Sequence, residues 1–127
     1  MKILGIDYGE AKIGLATSEG EIAEPLGMIE IRNWELGIGN ICRKEKVEKI
    51  VVGISEGKMA EKTREFGERL REITGLLVEF WEETLTSKEA VKKMIEAGKA
   101  RRRRKTDEHA VAACLILQDY LDNLPNG

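Results

Sequence analysis

The chain has 127 residues, 42% hydrophobic and 35% charged, which suits one ordinary domain, 1–127, with enough apolar material for a core. No apolar run reaches transmembrane length and no basic, apolar and small-residue leader opens it, so a cytoplasmic protein with no membrane partner is expected. Cys42 and Cys114 fall on apolar faces of predicted helices and make no C-x-x-C pair, which favours buried reduced thiols over disulfide or zinc chemistry.

Residues 2–6 read as a strand too apolar to be exposed, residues 9–12 as a hairpin turn and residues 13–17 as the returning strand. In the run Ile3-Leu4-Gly5-Ile6-Asp7-Tyr8-Gly9, Asp7 then stands where a core residue is expected. A carboxylate taken out of water needs a charge partner, a hydrogen bond or a metal ion. An Asp that begins the turn and bonds its own backbone would meet that need equally well. Gly5, Gly9 and Gly14 keep side chains away from this corner, leaving room for a ligand to approach the backbone.

Residues 21–31 can supply a third strand, with Pro25 tolerable at an edge. Asn33 suits the cap of a helix over 34–46, where Trp34, Ile38, Ile41 and Cys42 recur at helical spacing. Residues 49–54 are apolar on both faces, the pattern of a central parallel strand covered by helices on either side. Met59, Thr63, Phe66, Leu70 and Ile73 form the core stripe of a helix over 58–74 that Gly75 ends. A strand over 76–81 follows and delivers Glu82 and Glu83 at its carboxyl end. The next helix, over 86–98, starts at the capping-box run Thr86-Ser87-Lys88-Glu89 and stops at Gly98. In open α/β sheets such a strand end is where ligands bind.

Lys99, Arg101, Arg102, Arg103, Arg104 and Lys105 place six positive charges in seven residues, while the rest of the chain carries 15 basic residues against 23 acidic ones. This is a plausible phosphate-binding footprint, with a solvated charge run as the bland alternative. Thr106 can cap a last helix over 107–122, with Ala110, Cys114, Leu117 and Leu121 on one apolar face. His109, the single histidine, lines up with Ala113, Ile116 and Tyr120, so a satisfied core histidine and a metal ligand both remain open. Asp107 and Glu108 are explained as ligands or by the helix dipole alone. Convergence of Asp7 and Glu83 without a Cys/His cluster suits hard cations such as Mg²⁺ or Mn²⁺, with a third ligand from Asp107, Glu108 or His109.

Four segments, Ile3-Leu4-Gly5-Ile6-Asp7-Tyr8-Gly9 with Ile13-Gly14, Ile50-Val51-Val52-Gly53, Glu82-Glu83-Thr84-Leu85-Thr86, and Ala112-Ala113 with Ile116-Leu117-Gln118-Asp119-Tyr120-Leu121, resemble the YqgF (RuvX) family and occur in its order. The resemblance implies an α/β ribonuclease H-like fold, a mixed five-stranded sheet with three antiparallel strands, two further parallel strands and helices on both faces. It also implies a two-metal nuclease using Mg²⁺ or Mn²⁺. Its expected task is trimming the 5′ end of pre-16S rRNA during ribosome biogenesis, with Holliday-junction DNA as the alternative substrate. By position Asp7 matches the family's first-strand carboxylate, and Glu83 matches the glutamate of D-E-R-[LF]-[ST], where Glu82 replaces Asp and Thr84 replaces Arg. The family's third carboxylate falls at His109. Asp107 is about 200° around the helix from that position, so the resemblance favours His109 as the third metal ligand. The basic run would hold the nucleic-acid backbone. A non-catalytic nucleic-acid-binding module is the main rival. A sugar-kinase or actin-like phosphotransferase has a similar phosphate loop but clamps ATP between two such domains.

Overall fold

The computed structural model describes residues 1–54, 57–82 and 108–124; Glu83, Asp107, the basic run Lys99 to Lys105 and the helix expected over 86–98 lie outside them. The sheet starts with a hairpin of β1 (Ile3–Tyr8) and β2 (Lys12–Ser18), to which β3 (Ala23–Glu30) adds antiparallel on the β2 side. On the other side of β1, β4 (Lys49–Ile54) and then β5 (Leu77–Glu82) pair in parallel, giving the order β3-β2-β1-β4-β5. Helices α1 (Trp34–Glu45) and α2 (Lys58–Thr74) cover one face, and α3 (Glu108–Asp122) covers the other. This is the mixed five-stranded sheet with helices on both faces that the sequence led us to expect.

Strand β4 is apolar on both sides because both are covered: Ile50 and Val52 pack toward α1 and α2, and Val51 toward α3. Pro25 is accommodated because β3 is an edge strand, paired with β2 alone among the described residues. The β2–β3 register passes from Leu15↔Gly27 to Ala16↔Pro25, so Leu26 is extruded as a bulge and Gly27 takes φ +149° beside it.

One local expectation is corrected. Asn33 precedes α1 but makes no side-chain capping bond, because it ends a 3₁₀ turn (Ile31–Asn33). Its ψ of 18° is far from the extended backbone in which a cap side chain reaches the helix amides. At the other end Lys46 is left-handed, and the Val47 amide returns to the Cys42 carbonyl at 3.0 Å. Gly75 closes α2 as expected, at φ +70°, its amide donating to the Arg71 carbonyl. On the α2 stripe Thr63, Phe66 and Leu70 are buried, whereas Ile73, in the last turn of the helix, is 36% exposed. Cys42 and Cys114 are both free and buried, one under each face, and burial pushes each thiol up to about 11. Among the described residues, no helix is long and apolar enough to cross a membrane.

Candidate metal centre

Asp7 is the fifth of the six residues of β1 and is half-buried, so it stands at the rim of the core, not within it. The backbone is still in the ladder there, pairing Asp7 with Gly14 on β2 and with Gly53 on β4. That pairing argues against an Asp that begins the turn, since the strand runs on through Tyr8. Alternation along β1 sends Asp7 to the same side as Gly5, and a Cβ on Gly5 would lie 2.7 Å from Leu117 Cβ of α3. Tyr8 points the other way, its ring 4.3 Å from that of Phe66 on α2.

Both ladder neighbours of Asp7 are glycines, and one of them is filled by main chain. A Cβ on Gly14 would stand 1.8 Å from the carbonyl oxygen of His109 and 2.4 Å from its carbonyl carbon. The space that the glycines leave at Gly5 and Gly14 is thus taken by α3, and not left open for a ligand. The consequence is positional: the start of α3 rests on β2 beside Asp7, on the face that the Asp7 side chain shares. His109 is half-buried there, and Ala113, Ile116 and Tyr120, along the same helical stripe, are buried.

The run at the end of β5 is sorted by the same alternation. Trp81 faces α3, its indole N–H donating to Asp119 Oδ2 at 2.6 Å and its ring edge-on to Tyr120 at 5.5 Å. Phe80 faces α2, where a Cβ on Gly67 would meet its ring at 2.3 Å. Glu82, in phase with Phe80, is therefore on the opposite side of the sheet from Asp7. Trp81 is level with Asp7 through Gly53, and Glu83 lies one residue past the end of β5, beyond the described residues.

The far end of α3 is held by polar contacts. Lys49 bridges to Glu79 at 3.1 Å and donates to the Tyr120 hydroxyl. Burial alone would lower the Lys49 ammonium, but its hydrogen bonds to Tyr120 and Glu79 outweigh that and raise it. Gln118 Nε2 donates to the Glu21 carbonyl at 2.9 Å, and its side-chain oxygen accepts from the Ala23 amide at 2.8 Å. These bonds tie the far end of α3 to β4, to β5 and to the chain entering β3.

Of the expected site residues, the fold brings Asp7 and His109 to one face and one end of the sheet. Among the described residues, no three His, Cys, Asp or Glu side chains gather into a metal-binding group. A divalent cation suits the donors present, a carboxylate at Asp7 and an imidazole at His109, and a set of only these two is incomplete. Sequence reasoning quoted Gly53 only as part of a family segment and did not place it beside Asp7, and it missed the approach of His109 to Gly14, a contact across 95 positions that no local spacing reports.

A model of the RuvX family, described as Holliday junction resolvase, matches residues 1–123. The "Putative pre-16S rRNA nuclease" of Agathobacter rectalis is 38% identical over 140 aligned positions, covering 99% of this chain and 98% of that one. The protein of the same name from Caldanaerobacter subterraneus subsp. tengcongensis is 38% identical over 138, covering 99% of each. Among solved structures, RuvC of T. thermophilus in complex with a Holliday junction substrate matches with TM-score 0.68 at 15% identity, over 95% of this chain and 94% of that one. The fowlpox virus Holliday junction resolvase matches with TM-score 0.65 at 10% identity, over 96% and 98%. Those two likenesses carry the fold, and the family rests on the model match and the close relatives: the chain belongs to the RuvX family of ribonuclease H-like nucleases.

Proposed function

We propose that the chain is an endonuclease that cuts phosphodiester bonds in pre-16S rRNA, with Asp7, Glu83 and His109 as the ligands of Mg²⁺ or Mn²⁺. The observation that carries this reading is the seating of His109 on Gly14, the ladder neighbour of Asp7. It supports the reading by bringing the first turn of the helix that carries His109 next to the strand that carries Asp7, at the end of the sheet where β5 stops one residue before Glu83 in the sequence. The relatives named as pre-16S rRNA nucleases support the substrate. The family description as Holliday junction resolvase supports branched DNA as a second reading.

Nucleases of this fold imply a divalent metal, which, when bound as a pair of ions, activates the attacking water and stabilises the leaving oxygen. Asp7 holds its negative charge on a rigid strand, with no side chain from either ladder neighbour crowding it on that face. Glu83 contributes the second charge. His109 contributes a neutral nitrogen donor, which suits Mn²⁺ better than Mg²⁺. Asp107, two residues before His109 in the sequence, is the alternative third ligand. Lys99, Arg101, Arg102, Arg103, Arg104 and Lys105 hold substrate phosphates without reading sequence.

The test is cleavage of precursor rRNA, single-stranded RNA and a four-way DNA junction by the wild type and four variants. Asp7→Asn should abolish metal-dependent cleavage with the fold intact, and full activity in that variant would overturn the site. His109→Asp should shift preference from Mn²⁺ toward Mg²⁺, while Asp107→Ala should cost little. An inactive Asp107→Ala with a normal His109→Ala would make Asp107 the third ligand instead. Cleavage of the junction alone would favour the resolvase reading.

A further inference from the structure

Three of the chain's six aromatic residues meet at one place, on the opposite side of β1 from Asp7 but at the same end of the sheet. The Phe66 ring is buried and forms a floor. Tyr8 lies 4.3 Å from it and Trp34 lies 4.6 Å from it, centroid to centroid, both half-buried. They line an open cleft of about 440 Å³ together with Lys62, one turn before Phe66 on α2, Glu65, directly before it, and Arg69, one turn after it. Arg69 is occupied, donating to Glu35 at 3.2 Å and to Glu72 at 3.1 Å, and thereby ties α2 to α1 beside Trp34. Lys62 forms no salt bridge among the described residues, so one ammonium stands at the mouth of an aromatic cleft.

We infer that this cleft takes an unpaired nucleobase of a single-stranded nucleic acid, stacked on Tyr8 and Trp34 with the adjoining phosphate on Lys62. The inference builds on the nucleic-acid reading above and adds a contact to the substrate away from the metal centre. Flat aromatic rings and one cation match the two faces of a nucleotide, the π surface of the base and the charge of its phosphate. Base stacking tolerates sequence because every base has such a surface, and it requires the base to be out of a duplex. Tyr8 directly follows Asp7, so a strand crossing the sheet end meets both positions within a nucleotide or two.

The experiment follows Trp34 emission in the full chain carrying Trp81→Phe, which removes the other tryptophan. A metal-free titration with an eight-nucleotide oligoadenylate should give saturable quenching, whereas an abasic phosphodiester strand of equal length should bind more weakly and without quenching. Trp34→Leu, followed by anisotropy of a labelled strand, should weaken binding by about 5- to 150-fold, the usual worth of one stacked base. Lys62→Ser should weaken base-bearing and abasic strands alike. Equal affinity for the two strands, or quenching by a fully paired duplex as strong as by the single strand, would overturn the cleft. Because these readings need no cleavage, quenching without any nuclease activity would refute the proposed function and leave the cleft standing. Asp7-dependent cleavage without quenching would do the reverse.

Discussion

The two faces of the sheet are built to different rules. Toward α1 and α2 the strands offer Leu4, Ile6, Ile13, Leu15, Ile50 and Val52, each at most 1% exposed. Toward α3 the same strands offer Ile3, Gly5, Gly14, Ala16, Val51 and Gly53, three of them with no side chain at all. The thick face stabilises by volume, since each fully buried branched side chain contributes about 1.5–3 kcal/mol. The thin face gives up that contribution and brings a helix backbone into contact with strand backbone. What it gains is position: His109 beside Asp7. Stability and site geometry are therefore divided between the two sides of the same five strands.

The sharpest way to break this division is Gly14→Ala. Its methyl would fall 1.8 Å from the His109 carbonyl oxygen, an obstacle of helix main chain that no rotamer relieves. The start of α3 must lift, so destabilisation should reach the top of the overpacking range, about 3 kcal/mol, and metal-dependent cleavage should be lost with it. Gly5→Ala meets the Leu117 side chain at 2.7 Å and the Ala113 carbonyl at 3.2 Å, farther from the centre, and should cost less in both respects. Denaturant melts paired with cleavage rates would decide, and a Gly14→Ala protein with wild-type stability would refute the close seating of α3.

On the thick face the expected effect is smaller and of another kind. Ile50→Val removes one methylene from a fully buried position and should cost about 0.5–1.5 kcal/mol. Cleavage per folded molecule should be unchanged, because neither Asp7 nor His109 rests on that side of β4. A fall in the catalytic rate at saturating substrate, with the fold intact, would mean that the two faces are not independent.

What the sequence disclosed follows the same line. Regular, local patterns were legible: the two-sided apolar run that became β4, the four-and-three spacing of α2 with its glycine stop, and the apolar stripe of α3. Asn33 misled because cap chemistry is inferred from residue type, whereas the turn before it decides the backbone angle. The bulge at Leu26 left no signal, since Pro25 and Gly27 read as well in an ordinary edge strand. For the site, Asp7 stood out as an acid in an apolar strand and His109 as an unusual residue on an apolar helix face. Their juxtaposition depends on Gly14, whose significance exists only once a distant helix lies across it.

The smallest effect concerns the other end of α3, where polar contacts replace close backbone approach. Burial would raise the Glu79 carboxyl, but its bonds with Tyr120 and Lys49 outweigh this and hold it below the ordinary glutamate value. A lowered acid contributes stability above the unfolded-state pKa, about 4.3, and loses it as pH falls through the lower folded value. Lys49 is raised, so its contribution is complete below the unfolded lysine pKa of about 10.4 and is lost as pH rises through the folded one. Tyr120, raised first by burial, is lost in the same alkaline direction. The cluster should therefore give a flat optimum through neutral pH with a shoulder on each side. Because the Glu79 side chain is 41% exposed, its share should stay below about 1 kcal/mol. Glu79→Gln should remove the acid shoulder from the curve of stability against pH and leave most of the alkaline one. If the acid limb of the melting curve does not change, the tilt of α3 is set by its apolar stripe and the glycines alone, and the polar end only decorates it.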